Sequence, residues 1–118
     1  MRILIVEDHL DSAELMARLL RRAGHHVQIA QSVADALAAA SGDGTGPFDL
    51  ALSDVILPDG SGLELMPKLR AAGVRHGIAI SGTAEDAALA GQAGFNAHLL
   101  KPVQFDQLLA LIGPLPRA

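Results

Sequence analysis

The chain has no cysteine, no tryptophan and no tyrosine, and only three phenylalanines in 118 residues. Lack of cysteine rules out disulfides, a thiolate nucleophile and Cys-type zinc sites, while leaving the compartment open. With no Trp or Tyr there is no aromatic platform on which nucleic-acid bases could stack. Positive charge is also scarce. Nine Lys and Arg against thirteen Asp and Glu give a net charge of −4, the pI is near 5.6, and no basic run exceeds the pair Arg21 and Arg22. That pattern argues against direct nucleic-acid binding. The apolar runs are only a few residues long, far below the ~20 of a membrane span, and Arg2 leads a strand-like segment rather than a signal-peptide core. The expectation is a cytoplasmic protein that makes no membrane contact.

Half of the residues are hydrophobic and 19% are charged, enough to bury a core built from Leu, Ala, Ile and Val. The length suits one domain over residues 1–118, since domains usually run to about 100–200 residues. Any output is then expected to pass through a partner or a segment outside these residues.

An apolar, β-branched run at Ile3–Val6 and short strand-like segments at Val27–Ala30, Leu50–Leu52, Ile78–Ile80 and His98–Leu100 predict five short strands. Between and after them, helical periodicity predicts helices over Leu10–Ala23, with Gly24 as C-terminal cap, and over Val33–Ala40, with Ser32 as N-cap. Further helices are expected over Leu63–Ala72, a weak Ala-rich Ala84–Ala93, and Phe105–Ile112. Gly91 inside the fourth should cost about 1 kcal/mol relative to Ala. The segment Ser41–Pro47 is a loop, and Leu57–Gly62 is rich in turn residues. Strict strand–helix alternation implies right-handed crossovers, a doubly wound parallel sheet, helices on both faces, and a functional site beyond the carboxyl ends of the strands.

At those ends stand Glu7 and Asp8, Asp54, Ser81 and Lys101. Three carboxylates at one edge repel each other unless a cation joins them, and an oxygen-only donor set suits Mg²⁺. Lys101 offers a point charge for a phosphate, Ser81 a donor, and Gly82 an accessible backbone N–H. An Asp in this setting can act as a nucleophile, which points to formation and hydrolysis of an aspartyl phosphate.

The segments ILIVEDH, LALSDVILPDGSGLEL, IAISGTA and HLLKPV resemble, in order and spacing over essentially the whole chain, the receiver domain of two-component response regulators. The resemblance implies a flavodoxin-like sheet of strand order 2-1-3-4-5. It also implies that Asp54 accepts a phosphoryl group from a phosphohistidine of a histidine kinase or phosphotransfer protein. Mg²⁺ would be held by Asp8 and Asp54 directly, by Glu7 through water, and by the backbone carbonyl of Ile56. Ser81 would contact the phosphoryl oxygens, Lys101 would pair with them, and the bond from Lys101 to Pro102 would be cis. SDVILPDGSGLEL and HLLKPV also look like receivers attached to hybrid histidine kinases. Three residues before the lysine, where the family usually has Tyr or Phe as a switch residue, this chain has His98.

Leu15 and Leu19 widen the apolar face of the first helix beyond a core stripe, and in the family this helix docks the phosphodonor; they are the expected partner surface. Output is expected through the face of helix 4, strand 5 and helix 5, toward a second copy, an output domain or a partner protein. An alternative is a docking or dimerisation module that works without phosphate. A flavin carrier of the same architecture is disfavoured, because there is no phosphate loop after strand 1 and no Trp or Tyr to stack on a flavin. Asp43 and Asp59 read as turn residues, and His9, His25, His26 and His76 as surface residues without metal-site spacing.

Overall fold

A computed structural model describes residues 1–42 and 47–115. Its elements are β1 (Arg2–Val6), α1 (Leu10–Arg22), β2 (His26–Ala30), α2 (Val33–Ala40), β3 (Leu50–Asp54), β4 (Ile56–Leu57), β5 (Gly60–Ser61), α3 (Gly62–Ala71), β6 (His76–Ser81), α4 (Asp86–Gln92), β7 (Ala97–Leu100) and α5 (Phe105–Ile112). Five strands form a parallel sheet in the order β2-β1-β3-β6-β7, the topology expected from strand–helix alternation. Of the loop Ser41–Pro47, residues 43–46, including Asp43, lie outside the described residues.

Side-chain alternation divides the core in two. Ile3, Ile5, Leu50, Leu52, Ile78, Ile80 and Leu99 pack under α1 (Ala13, Ala17, Leu20) and α5 (Leu108, Ile112). Leu4, Val6, Ala51 and Ala79 face α2, α3 and α4 through Ala36, Leu65, Met66, Leu69 and Ala90. The small Ala13 and Ala17, both fully buried, let α1 lie close to the sheet. Ala23 is exposed and ends the helix, and Gly24 follows it at φ +96°, where His25 N–H donates to the Leu20 carbonyl.

Several expectations change. The turn-rich stretch holds an antiparallel ribbon of β4 and β5, too short to leave a periodicity in the sequence. Asp59, between its strands, is more than a turn residue: its carboxylate accepts from Val33 N–H at 2.7 Å and Ala34 N–H at 3.0 Å, at the start of α2. Ser32 Oγ takes Asp35 N–H at 3.0 Å, as expected of an N-cap. Together they satisfy donors that a helix leaves free, and the N–H groups of Ala34 and Val33 hold the Asp59 carboxyl below its ordinary pKa. His25, expected on the surface, is buried with its Nδ1 3.2 Å from the amino terminus. Helix α4 begins at Asp86 rather than Ala84, because residues 83–87 close i to i+3 turns: Asp86 N–H to the Thr83 carbonyl and Ala87 N–H to the Ala84 carbonyl.

Gly62 fixes where β5 and α3 meet the sheet. Its N–H donates to the Val55 carbonyl at 2.8 Å, and a β-carbon there would overlap the backbone carbonyl oxygen of Asp54. Gly62→Ala is expected to cost about 1–3 kcal/mol in urea unfolding and to shift the Asp54 amide resonance. An unchanged midpoint and spectrum would show that the contact relaxes freely.

Candidate functional site

Strand register builds the site. Val6 is level with Ser53, Asp54 with Ile80, and Ser81 with Leu100. The residues that end or follow these strands therefore share one edge of the sheet. The pleat then sorts them: Glu7, Asp54 and Lys101 continue the rows of Ile5, Leu52 and Leu99 on the α1/α5 face, and Ser81 continues the row of Ala79 on the α4 face.

On the first face Lys101 Nζ lies 3.0 Å from Asp54 Oδ2 and 3.7 Å from Glu7 Oε2. Glu7 and Asp54 are buried, 5% and 4% exposed, and Asp54 Oδ1 finds no hydrogen-bond partner among the described residues. Burial, with the neighbouring Glu7, pushes the Asp54 carboxyl up to about 7, against the opposing pull of Lys101. Burial alone would lower the Lys101 ammonium, but the hydrogen bond to Asp54 and the charges of Asp54, Glu7 and Asp8 outweigh it and hold it above its ordinary value. Asp8 is more open. His9, which the sequence placed on the surface, is exposed there but leans over the acids, its Nδ1 3.6 Å from Glu7 Oε1 and 3.7 Å from Asp8 Oδ1. Glu7, Asp8 and His9 each offer a ligand atom, all within 4.8 Å of one another. Nothing in the sequence pattern singled out His9, because the contact depends on how the chain turns into α1.

On the second face Ser81 Oγ lies 2.6 Å from His98 Nε2 and 2.9 Å from the Thr83 carbonyl. Ile56 stands two residues after Asp54 in β4 and is 82% exposed. The Lys101–Pro102 bond is cis. A cavity of 470 Å³ runs from Glu7, Asp54 and Lys101 between α1 and α5, lined by Leu15, Leu19, Val103 and Phe105. Leu15 is exposed and Leu19 half-buried. The structure thus brings Glu7, Asp54, Lys101 and the two leucines to one cavity, leaves Asp8 outside its lining, and pairs Ser81 with His98 on the opposite face.

The response regulator receiver domain family matches residues 3–113. The chain belongs to this family. The transcriptional regulatory protein TcrA of Mycobacterium tuberculosis is 33% identical over 125 residues, covering 98% of this chain and 48% of TcrA. The chain spans about half the length of the curated relatives it matches. Among solved structures, a CheY-like response regulator receiver domain from Methylobacillus flagellatus has TM-score 0.86 and 32% identity, covering 98% of each chain. The receiver domain of the hybrid histidine kinase CckA has TM-score 0.81 and 31% identity, covering 99% of this chain and all of that one. This is a receiver domain of two-component response regulators. Among the described residues no helix is long and apolar enough to cross a membrane.

The raised Asp54 pKa has a consequence for stability. Its protonated form is favoured in the folded state, so the stability it contributes is full below its ordinary pKa of 3.8 and is lost as pH rises through about 7. Asp54→Asn removes that loss. Without divalent cations, its gain in Tm over the wild type should be larger at pH 8 than at pH 4; equal gains would contradict the shift.

Proposed function

We propose that this receiver domain is a signalling switch that accepts a phosphoryl group on Asp54 from a phosphohistidine of a histidine kinase or phosphotransfer protein. The observation that carries the reading is Asp54 itself: a buried carboxylate at the end of β3, held by Lys101 through one oxygen, with the other oxygen lacking a hydrogen-bond partner among the described residues. A carboxylate oxygen attacks phosphorus; the P–O bond forms as the P–N bond breaks, and the departing imidazole keeps the electron pair and takes up a proton. Water later cleaves the acyl phosphate to carboxylate and inorganic phosphate. Lys101, held positive, pairs with the incoming phosphoryl oxygens, and Ser81 signals the modification together with His98.

Mg²⁺ fits the site, because carboxylates outnumber the single ammonium and the orphaned Asp54 oxygen awaits a cation. Asp8, Asp54 and the Ile56 carbonyl would hold it, with Glu7 acting through water, and bound there it supplies charge that offsets the phosphoryl oxygens. The domain assists its own phosphorylation and dephosphorylation and is not an enzyme acting on a separate substrate. The partner that brings the phosphohistidine rests on Leu15 and Leu19, since the cavity they line opens onto Asp54. Output runs through α4, β7 and α5, where Leu89 and Leu100 are each 49% exposed, toward a second copy, an output domain or a partner protein in the cytoplasm.

Incubation with Mg²⁺ and acetyl phosphate should label the wild type and leave Asp54→Ala unlabelled by intact-mass spectrometry. An unlabelled wild type, or a labelled Asp54→Ala, would overturn the assignment. Leu15→Asp should slow transfer from a phosphohistidine donor about tenfold more than labelling by acetyl phosphate, the scale of losing one well-packed contact. An equal effect on both donors would remove Leu15 from the partner surface.

A further inference from the structure

We propose that His98 fixes the polarity of the Ser81 hydroxyl, so that phosphorylation moves one hydrogen bond from the Thr83 carbonyl to a phosphoryl oxygen and thereby loosens the start of α4. The proposal rests on the reading of Asp54 as the phosphoacceptor.

The contact follows from the sheet. Ala79 is the register partner of His98, and Ser81 lies two residues further along the same face, so the two side chains are diagonal neighbours. A serine hydroxyl has one hydrogen to give and can accept through its lone pairs. The Thr83 carbonyl has no hydrogen, so its 2.9 Å contact uses the Ser81 proton. His98 Nε2, 2.6 Å from the same oxygen, must then supply its own N–H. The opposite polarity, with Ser81 donating to a bare Nε2, would leave two oxygen acceptors facing each other at 2.9 Å without a hydrogen between them. Satisfying both contacts therefore selects an imidazole protonated on Nε2.

A donor at position 98 keeps Ser81 from spending its proton on the imidazole. The hydroxyl can hold the bond from His98 and re-aim its single hydrogen, and the resulting chain, Nε2–H to Oγ–H to phosphoryl oxygen, is polarised in one direction, which strengthens each link. No bond to carbon, oxygen or phosphorus changes in this step; one hydrogen bond is exchanged for another. What the exchange gives up lies on the approach to α4. The Thr83 carbonyl keeps only the Asp86 N–H at 3.4 Å, and the Glu85 side chain makes no capping bond there among the described residues. The link from Thr83 Oγ1 to Asp86 Oδ2 at 3.0 Å and the bond from Ala87 N–H to the Ala84 carbonyl then remain beside it to hold that turn. A phenyl ring at position 98 would fill the same place without donating, so His98 is a positioning residue acting through Ser81.

Two measurements test this. In ¹⁵N-labelled protein at about pH 8, above the ordinary imidazole range, the His98 ring should show a protonated Nε2 and a pyridine-like Nδ1. The reverse tautomer overturns the proposal. With Mg²⁺ and beryllofluoride as the phosphoryl mimic, the Asp86 and Ala87 amides should exchange faster than in the resting wild type. His98→Phe should bind beryllofluoride about fivefold more weakly, the scale of one hydrogen bond, and His98→Gln, whose amide can donate, should recover most of that loss. Equal affinity in the wild type and His98→Phe, or unchanged exchange at residues 86 and 87, also overturns it. A wild type that neither binds beryllofluoride nor is labelled by acetyl phosphate brings down the phosphoacceptor reading and this proposal with it. Labelling of Asp54 with the wrong tautomer brings down this proposal alone.

Discussion

One ammonium set between two buried carboxylates organises the functional edge of this receiver domain. Lys101 reaches Asp54 at 3.0 Å and Glu7 at 3.7 Å, and both acids are buried. Without the lysine, two carboxylates would share a poorly solvated corner, and at least one would have to keep its proton. With it, the charge is still unbalanced: Asp54 is pushed up while Lys101 is held positive. That imbalance is the useful property, because it leaves a buried carboxylate oxygen without a hydrogen-bond partner among the described residues and a centre short of positive charge. A structure selected only for stability would have neutralised or hydrated this corner.

The sheet makes the arrangement possible by register rather than by sequence proximity. Glu7, Asp54 and Lys101 come from three strands but share one pleat parity, so they converge over the α1/α5 layer, and the cavity between those helices opens onto them. Ser81 has the other parity and meets His98 beneath α4. The charged half of the site and its hydroxyl–imidazole half thus lie on opposite faces of the same strand ends. A group added to Asp54 lies at the boundary between them, and Ser81, at the last residue of β6, is placed to respond on the side of the shortest helix.

That helix begins differently from α2 and α3. Helix α2 is held at its start by Ser32 and by the Asp59 carboxylate, and α3 by Ser61, whereas α4 follows turns closed by i to i+3 bonds. Alanine and Gly91 give it little apolar surface to bury, and only Ala90 is fully covered. The exposed Leu89 lies on this thinly buried helix, and few buried apolar contacts are the mark of the less stable parts of a fold.

Much of this was legible in the chain. Runs such as Ile3–Val6 have the pattern of strands covered on both faces, and their alternation with helical segments implies parallel crossovers, which gathers the strand-end residues at one edge. The two-residue strands β4 and β5 left no periodicity to read. The cap that Asp59 places on Val33 and Ala34, the burial of His25 beside the amino terminus, and the approach of His9 to Glu7 and Asp8 each depend on how separate segments pack or turn. By itself the sequence determined the order of the five sheet strands and the five helices, the side-chain parity along those strands and the chemical inventory at their ends, because these follow from local periodicity. Only the tertiary structure decided which of those groups touch. Register between strands that are joined through helices is set by packing on both faces of the sheet, and that register puts Lys101 on Asp54 and His98 on Ser81.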